Sequence, residues 1–225
     1  FNYFYPQLET EGVLIDYERV ELKLIPILAQ MEMRGVKIDV SWLQKKQEEA
    51  KKELDKLEKN ILSQVKEKGG NADNLNIRSP KQIEDILFNV LKYPVLKETA
   101  SGNRSTDNKV LEDLVKKNKL GEDDIVSLLL KFRDLDKVYG TYLVSLAEQA
   151  GLENVIHCNF MQHGTRTGRL SSNDPNLQNI PTRHDKWNVR SAFIPRKGYK
   201  FLIADYGQIE LRMLAHFSRD EKMVD

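Results

Sequence analysis

The sequence predicts a two-part chain of mixed class, α/β or α+β, with a helical, elongated module to about residue 150 and a sheet-containing part after it. Three observations carry this. Apolar residues recur at helical spacing through two long segments, 39–66 and 123–147. Short β-type runs appear only later, at 155–160 and 199–204. Between those runs lie about forty loop-rich residues, so the character of the chain changes near Gly151.

The helical elements can be justified in order. Residues 17–34 place Val20, Leu24, Ile27, Leu28 and Met31 on one stripe, Pro26 is expected to bend it, and Gly35 supplies the stop. Asp39 reads as the N-cap of a helix to about Lys66, with Val40, Leu43, Ala50, Leu54, Leu57, Ile61 and Val65 on one side among dense Lys and Glu. Gly69, Gly70 and Asn71 break it. Ser79, Pro80 and Gln82 then give an N-cap, a first-position proline and a third-position glutamine, announcing a short helix with Ile83, Ile86, Leu87 and Val90 inside. Residues 97–106 read as an exposed loop and Thr106 as the start of a helix over 107–117. From Asp123 to about Ala147, Leu128, Leu129, Phe132, Leu135, Tyr139, Tyr142, Leu143 and Leu146 describe the antiparallel partner of the 39–66 helix.

Composition narrows the function. The 225 residues hold a lone cysteine, Cys158, so an internal disulfide and a Cys-rich zinc site are excluded and a reducing intracellular setting is expected. His157, His163, His184 and His216 form no close-set metal cluster. No apolar run approaches the roughly 18 residues of a membrane span and no signal-peptide pattern opens the chain, so the expectation is a soluble protein without membrane partners. A first residue of Phe1 rather than Met suggests a piece of something longer.

The formal charge of +1 hides an uneven distribution. Residues 161–200 carry eight bases (Arg166, Arg169, Arg183, Lys186, Arg190, Arg196, Lys197, Lys200) against two acids, a local net of +6 that leaves −5 for the remainder. Arginine offers phosphate a planar fork and Asn or Gln can bond base edges, so this stretch suits a polyanion; a solvated surface segment would look similar by charge alone.

Two motifs carry chemistry. In 201–217 an apolar strand ends at Asp205 and a helix begins near Gln208, which puts a carboxylate at a strand tip where it can hold Mg²⁺ for phosphoryl or nucleotidyl transfer. A second carboxylate is not obvious, since Glu210 is already inside the helix and Asp220 lies beyond it; an Asp after a strand is also an ordinary turn or cap residue. Upstream, 167–181 is set in sharp turns by Gly168, Asn173-Asp174-Pro175 and Pro181. Its Arg169, Asn176, Gln178, Asn179 and Arg183 could converge on a duplex minor groove, or serve neighbouring backbone groups.

The two segments TRTGRLSSNDPNLQNIP and IADYGQIELRMLAHFSRDE resemble two distinctive motifs of the family A DNA polymerases. Weaker similarity runs through 27–39, 76–88, 102–112 and 132–142, so the resemblance covers nearly the whole chain in order. It implies an α+β fold: residues 1–15 as the end of a preceding exonuclease-like domain, 16–150 as a helical thumb, and 151–225 as the first part of an antiparallel-sheet palm. By the same resemblance Asp205 is a catalytic, metal-binding aspartate with the Tyr206 carbonyl beside it. Gln208 and Ile209 line the incoming nucleotide, and Glu210 is the steric gate that collides with a ribose 2′-OH. Arg169 is implied at the minor groove of the primer end, with Asn176, Gln178, Asn179 and Arg183 near the duplex. Arg104, Ser105 and Thr106 are implied as a thumb tip gripping phosphate, and Lys137 and Tyr142 as helix residues that approach DNA.

The sequence departs from the family at Gly207, usually Ser, at Gly140, usually small and polar, and at His163 and Arg166, where smaller residues are common. It also contains neither the fingers helix nor the second metal-binding carboxylate of a two-metal mechanism. The implied partners are therefore primer–template DNA, a dNTP, two Mg²⁺ ions and a C-terminal polymerase fragment, without which the chain alone is expected to be inactive. A cytoplasmic setting in a bacterial or phage-infected cell, or an organelle, is implied. A non-catalytic DNA-binding module is the alternative, and a single-subunit RNA polymerase is disfavoured by Glu210.

Overall fold

A computed structural model describes residues 3–181 and 186–224. The chain falls into two compact units, 1–194 and 195–225. The first opens with α1 (Tyr5–Thr10), α2 (Leu14–Asp16) and, after a π-helical stretch Tyr17–Glu21, α3 (Leu22–Arg34). The stripe expected on α3 closes only at Leu28, whereas Val20, Ile27 and Met31 stay exposed. The physical reason is partnership: α3 packs mainly on its own π-helical entry and one short strand.

Gly35 ends α3 with φ +58° and ψ −173°, a combination essentially reserved for glycine. A Cβ there would lie 2.5 Å from the Ile156 carbonyl oxygen and 2.7 Å from Val155 Cγ1. That close approach starts β1 (Val36–Lys37) against a second strand at Val155–Ile156. Asp39 then caps α4 (Val40–Glu67), its Oδ1 accepting from the Trp42 amide at 2.9 Å. Leu43, Ala50, Leu54, Ile61 and Val65 form the buried stripe of α4.

Ser79 caps α5 (Pro80–Glu84) as expected, and a π-helical continuation, Asp85–Val90, buries Ile86, Leu87 and Phe88. The loop before α6 (Asn108–Asn118) differs from expectation at its end. Residues 97–105 fold back as a small hairpin, with Glu98 bridged to Arg104, and Ser105 and Thr106 are buried at 2% and 7% exposure. Arg133 is the cause, because its guanidinium donates to the Thr106 carbonyl and draws the loop onto the next helix. That helix, α7 (Ile125–Lys137), runs through a π-helical stretch Val138–Val144 into α8 (Ser145–Glu148), and together they pack along α4. Asp124 performs two tasks here: Oδ1 caps α7 at the Val126 amide, and Oδ2 accepts from the Tyr93 hydroxyl at 2.8 Å.

Beyond Gly151 come β2 (Val155–Ile156), paired with β1, and an antiparallel hairpin of β3 (Asn159–Met161) and β4 (Ser171–Asn173). Short 3₁₀ turns follow at Leu177–Asn179 and Val189–Ala192. The main core joins α4, α5, α6 and α7 to Ile156, Trp187, Val189 and Ala192. Helices with small antiparallel sheets make this an α+β chain.

The second unit holds α9 (Ile209–Ser218) and α10 (Glu221–Val224). The strand expected over 199–204 is not formed. Leu202 and Ile203 are 95% and 82% exposed, and no described segment pairs with them. β propensity alone does not make a strand, since its free N–H and C=O groups need a ladder partner.

Two outcomes follow. Gly35→Ala should lower the free energy of unfolding by more than about 1 kcal/mol, read from urea denaturation. Burial, aided by the hydrogen bond to Asp124, holds the Tyr93 phenol well above the ordinary tyrosine range. Unfolded tyrosine loses its proton near pH ~10 while folded Tyr93 keeps it, so this contribution is complete below that value and declines as pH rises. Tyr93→Phe should therefore flatten the alkaline loss of stability, measured by urea unfolding at about pH 9 and about pH 11.

Candidate nucleic-acid interface

The polar residues expected near DNA are partly assembled by the first unit around one turn. Asn176 caps the Leu177–Asn179 turn, its Oδ1 accepting from the Gln178 amide and from the Ser172 hydroxyl, both at 3.1 Å. Gln178 Nε2 donates to the Leu170 carbonyl at 3.1 Å. Part of the hydrogen-bonding capacity of Asn176 and Gln178 thus serves the backbone. Arg169 is exposed just after Gly168, and its carbonyl accepts from the Thr165 hydroxyl at 2.7 Å. Arg183 lies outside the described residues.

The turn faces the π-helical end of α7. Tyr142 is buried to 8% exposure, and its hydroxyl donates to the Asn179 carbonyl at 2.6 Å. Lys137, Thr141, Tyr142, Ser145 and Gln149 on one side meet Asp174, Pro175, Asn176 and Asn179 on the other across a cleft of about 570 Å³. Four residues implied at DNA therefore line one cleft: Lys137, Tyr142, Asn176 and Asn179. Lys137 is exposed there, a cation on a flexible stem at the mouth of a polar groove.

The tip around Arg104 is arranged differently. Its Nε donates to Glu84 at 3.0 Å, its Nη1 to Asn89 at 2.7 Å, and its guanidinium carbon lies 5.4 Å from the centre of the Phe88 ring. These hydrogen bonds hold the Glu84 carboxyl below the usual carboxylate range. Ser105 and Thr106 are buried beside it, and Ser105 Oγ accepts from the Asp107 amide. In this conformation the tip is engaged in its own fold.

In the second unit Asp205 and Tyr206 sit exposed on a segment without regular secondary structure, and Gln208, in the left-handed region, precedes α9. Ile209 and Glu210 occupy the first turn of α9, both exposed. Arg212 Nε donates to the Gly207 carbonyl at 2.9 Å. Added Cβ atoms at Gly207 and Gly140 would meet nothing within 4 Å, so neither departure from the family pattern is required by packing. Magnesium takes oxygen ligands and usually more than one carboxylate at a transfer site. Among the described residues no three His, Cys, Asp or Glu side chains converge, so the residues present do not by themselves fit a complete magnesium site.

The sequence reading missed Arg190 as a structural group. It counted among the bases of a basic stretch, yet its Nε and Nη2 donate to the Pro181 and Ile180 carbonyls at 2.9 and 3.3 Å. Gln47 and Glu84 went unnoticed because their partners lie 96 and 20 residues away.

Comparison with known proteins places this geometry. The chain is 42% identical over 210 residues to DNA polymerase I of Caldicellulosiruptor bescii, covering 92% of this chain and 23% of that protein. It is 41% identical to DNA polymerase I of Bacillus subtilis over 97% of this chain and 24% of the relative. With the thermostable DNA polymerase I of Thermus filiformis the identity is 42% over 99% of this chain and 26% of that protein. The chain thus spans about a quarter of the length of these relatives. The polymerase domain of Pol1 from M. smegmatis, solved in complex with DNA primer-template and dNTP, superposes with a TM-score of 0.86 at 33% identity, covering 99% of this chain and 38% of that one. Residues 40–225 match the family model, and on the strength of that match and of these relatives the chain belongs to DNA polymerase family A.

Proposed function

We propose that the chain is the primer–template-holding part of a DNA-directed DNA polymerase, with residues 16–150 acting as thumb, 151–225 as the first part of the palm, and 1–15 as the end of a preceding domain. The observation that carries this reading is the cleft uniting Lys137 and Tyr142 of the helical layer with Asn176 and Asn179 of the following turn. Cation, phenol and amides on facing walls suit a nucleic-acid backbone and its minor-groove edge. The M. smegmatis relative, bound to primer-template and dNTP, supports the same assignment. Arg169 and Arg183 would extend the contact along the duplex, and Arg104, Ser105 and Thr106 would reach phosphate only after the tip releases Glu84 and Arg133.

In the complete enzyme a primer 3′-OH attacks the α-phosphorus of a dNTP and pyrophosphate leaves. Asp205 and the Tyr206 carbonyl would contribute ligands for the two Mg²⁺ ions of that chemistry, with a further carboxylate coming from a separate C-terminal polymerase segment carrying fingers and the rest of the palm. Gln208 and Ile209 would border the dNTP, and Glu210 would exclude a 2′-hydroxyl. A cytoplasmic setting suits this work, and no helix among the described residues is long and apolar enough to cross a membrane.

Two measurements test the reading. Fluorescence anisotropy of a labelled primer–template duplex should show binding that weakens with salt, and Lys137→Gln should reduce the slope of log affinity against log salt by about one. Salt-independent binding, or none, would sink the assignment. Mixed with a polypeptide supplying the remaining polymerase segments, the chain should extend primers, and Asp205→Ala should cut the rate by about a thousandfold, equivalent to roughly 4 kcal/mol. Duplex binding without extension under every pairing would point instead to a non-catalytic DNA-binding module.

A further inference from the structure

We propose that Tyr142 and Arg190 are positioning residues that fasten the 176–181 turn for duplex binding, and that Arg190 acts through its bonds to the backbone rather than as a phosphate contact. The proposal rests on the DNA-holding role argued above and assigns it two residues that act through the turn. Three consecutive carbonyls, of Asn179, Ile180 and Pro181, accept hydrogen bonds from just these two side chains. Tyr142 reaches the first at 2.6 Å from the π-helical stretch, and Arg190 reaches the other two from the Val189–Ala192 turn. Ile180 is extended, with φ −66° and ψ +130°, and lies in none of the described strands, so side-chain donors stand in for a ladder partner.

Both anchors lead back to the same rigid element. Gln47 of α4 donates to the Leu143 carbonyl at 2.7 Å, next to Tyr142. The amide of Asp39, the cap of α4, donates to the Ala192 carbonyl at 2.8 Å at the end of the Arg190 turn. The turn bearing Asn176, Gln178 and Asn179 is thus tied on two sides to the first half of α4. A turn ordered before the ligand arrives gives up less conformational freedom on binding. Arginine suits the task because its planar fork presents N–H groups to two neighbouring carbonyls at once, which a lysine ammonium does not reproduce.

The chemistry separates positioning from charge. A phosphate contact at Arg190 would survive replacement by lysine, whereas a fork holding two carbonyls would not. Primer–template affinity of the full chain should fall about fivefold in Tyr142→Phe and in Arg190→Lys. Arg190→Gln should be no weaker than Arg190→Lys, with its salt slope unchanged. The Tyr142→Phe/Arg190→Lys pair should lose less than the product of the single effects, since both act through one turn. Arg190→Lys binding like the unaltered chain, a slope reduced by about one in Arg190→Gln, or Tyr142→Phe binding unchanged would overturn the inference while leaving the DNA-holding role intact. No binding by the unaltered chain would overturn that role and this inference together.

Discussion

The apolar seam between α4 and the α7–α8 rod organises the first unit. Leu43, Ala50, Leu54, Ile61 and Val65 recur at alternating steps of seven and four, so they form a stripe along a helix otherwise crowded with Lys and Glu. Against it come Leu128, Leu129, Phe132, Leu135, Leu143 and Leu146, all in the buried core. Each large side chain removed from water is worth roughly 1.5–3 kcal/mol, far more than a surface ion pair such as Lys46–Glu49. Because the seam runs from Leu43 to Val65 along α4, the helix serves as a common reference, and segments far apart in sequence bond back to it.

Polar side chains then convert that reference into a surface. Gln47 on α4, Arg133 on α7, and Tyr142 and Arg190 beyond it all bond through their side chains to backbone carbonyls in other segments, and the backbone amide of Asp39 at the head of α4 donates to the Ala192 carbonyl. A loop amide or carbonyl shielded from water needs a partner, and here the partners are supplied by neighbouring elements rather than by a sheet. This economy explains why so many residues with apparent nucleic-acid chemistry are already engaged. Arg104 bonds Glu84 and Asn89, and Asn176 caps its own turn. Lys137, by contrast, is an exposed cation lining the cleft.

The second unit shows the opposite balance. Phe201, Leu202, Ile203, Tyr206, Leu214 and Phe217 are exposed, and the segment leading to Asp205 has no strand partner among the described residues. The Asp205 carboxylate is exposed, and among the described residues no group of three His, Cys, Asp or Glu side chains gathers to hold a metal ion.

Helices were legible from local information. Asp39, Ser79, Gly35 and the apolar spacing of 39–66 and 123–147 act within a few residues of themselves, and the elements formed close to where those signals fall. Family membership was legible too, because the motifs at 165–181 and 203–221 are contiguous strings. Other outcomes were decided only when distant segments met. The absence of a strand at 199–204, the burial of Ser105 and Thr106, and the use of Arg190 as a carbonyl clamp all depend on which neighbour arrives. A chain can declare its own turns and periodicities by itself, but the fate of a polar or β-prone residue is settled by partners brought together through the fold, as Tyr142 meets Asn179 across 37 positions.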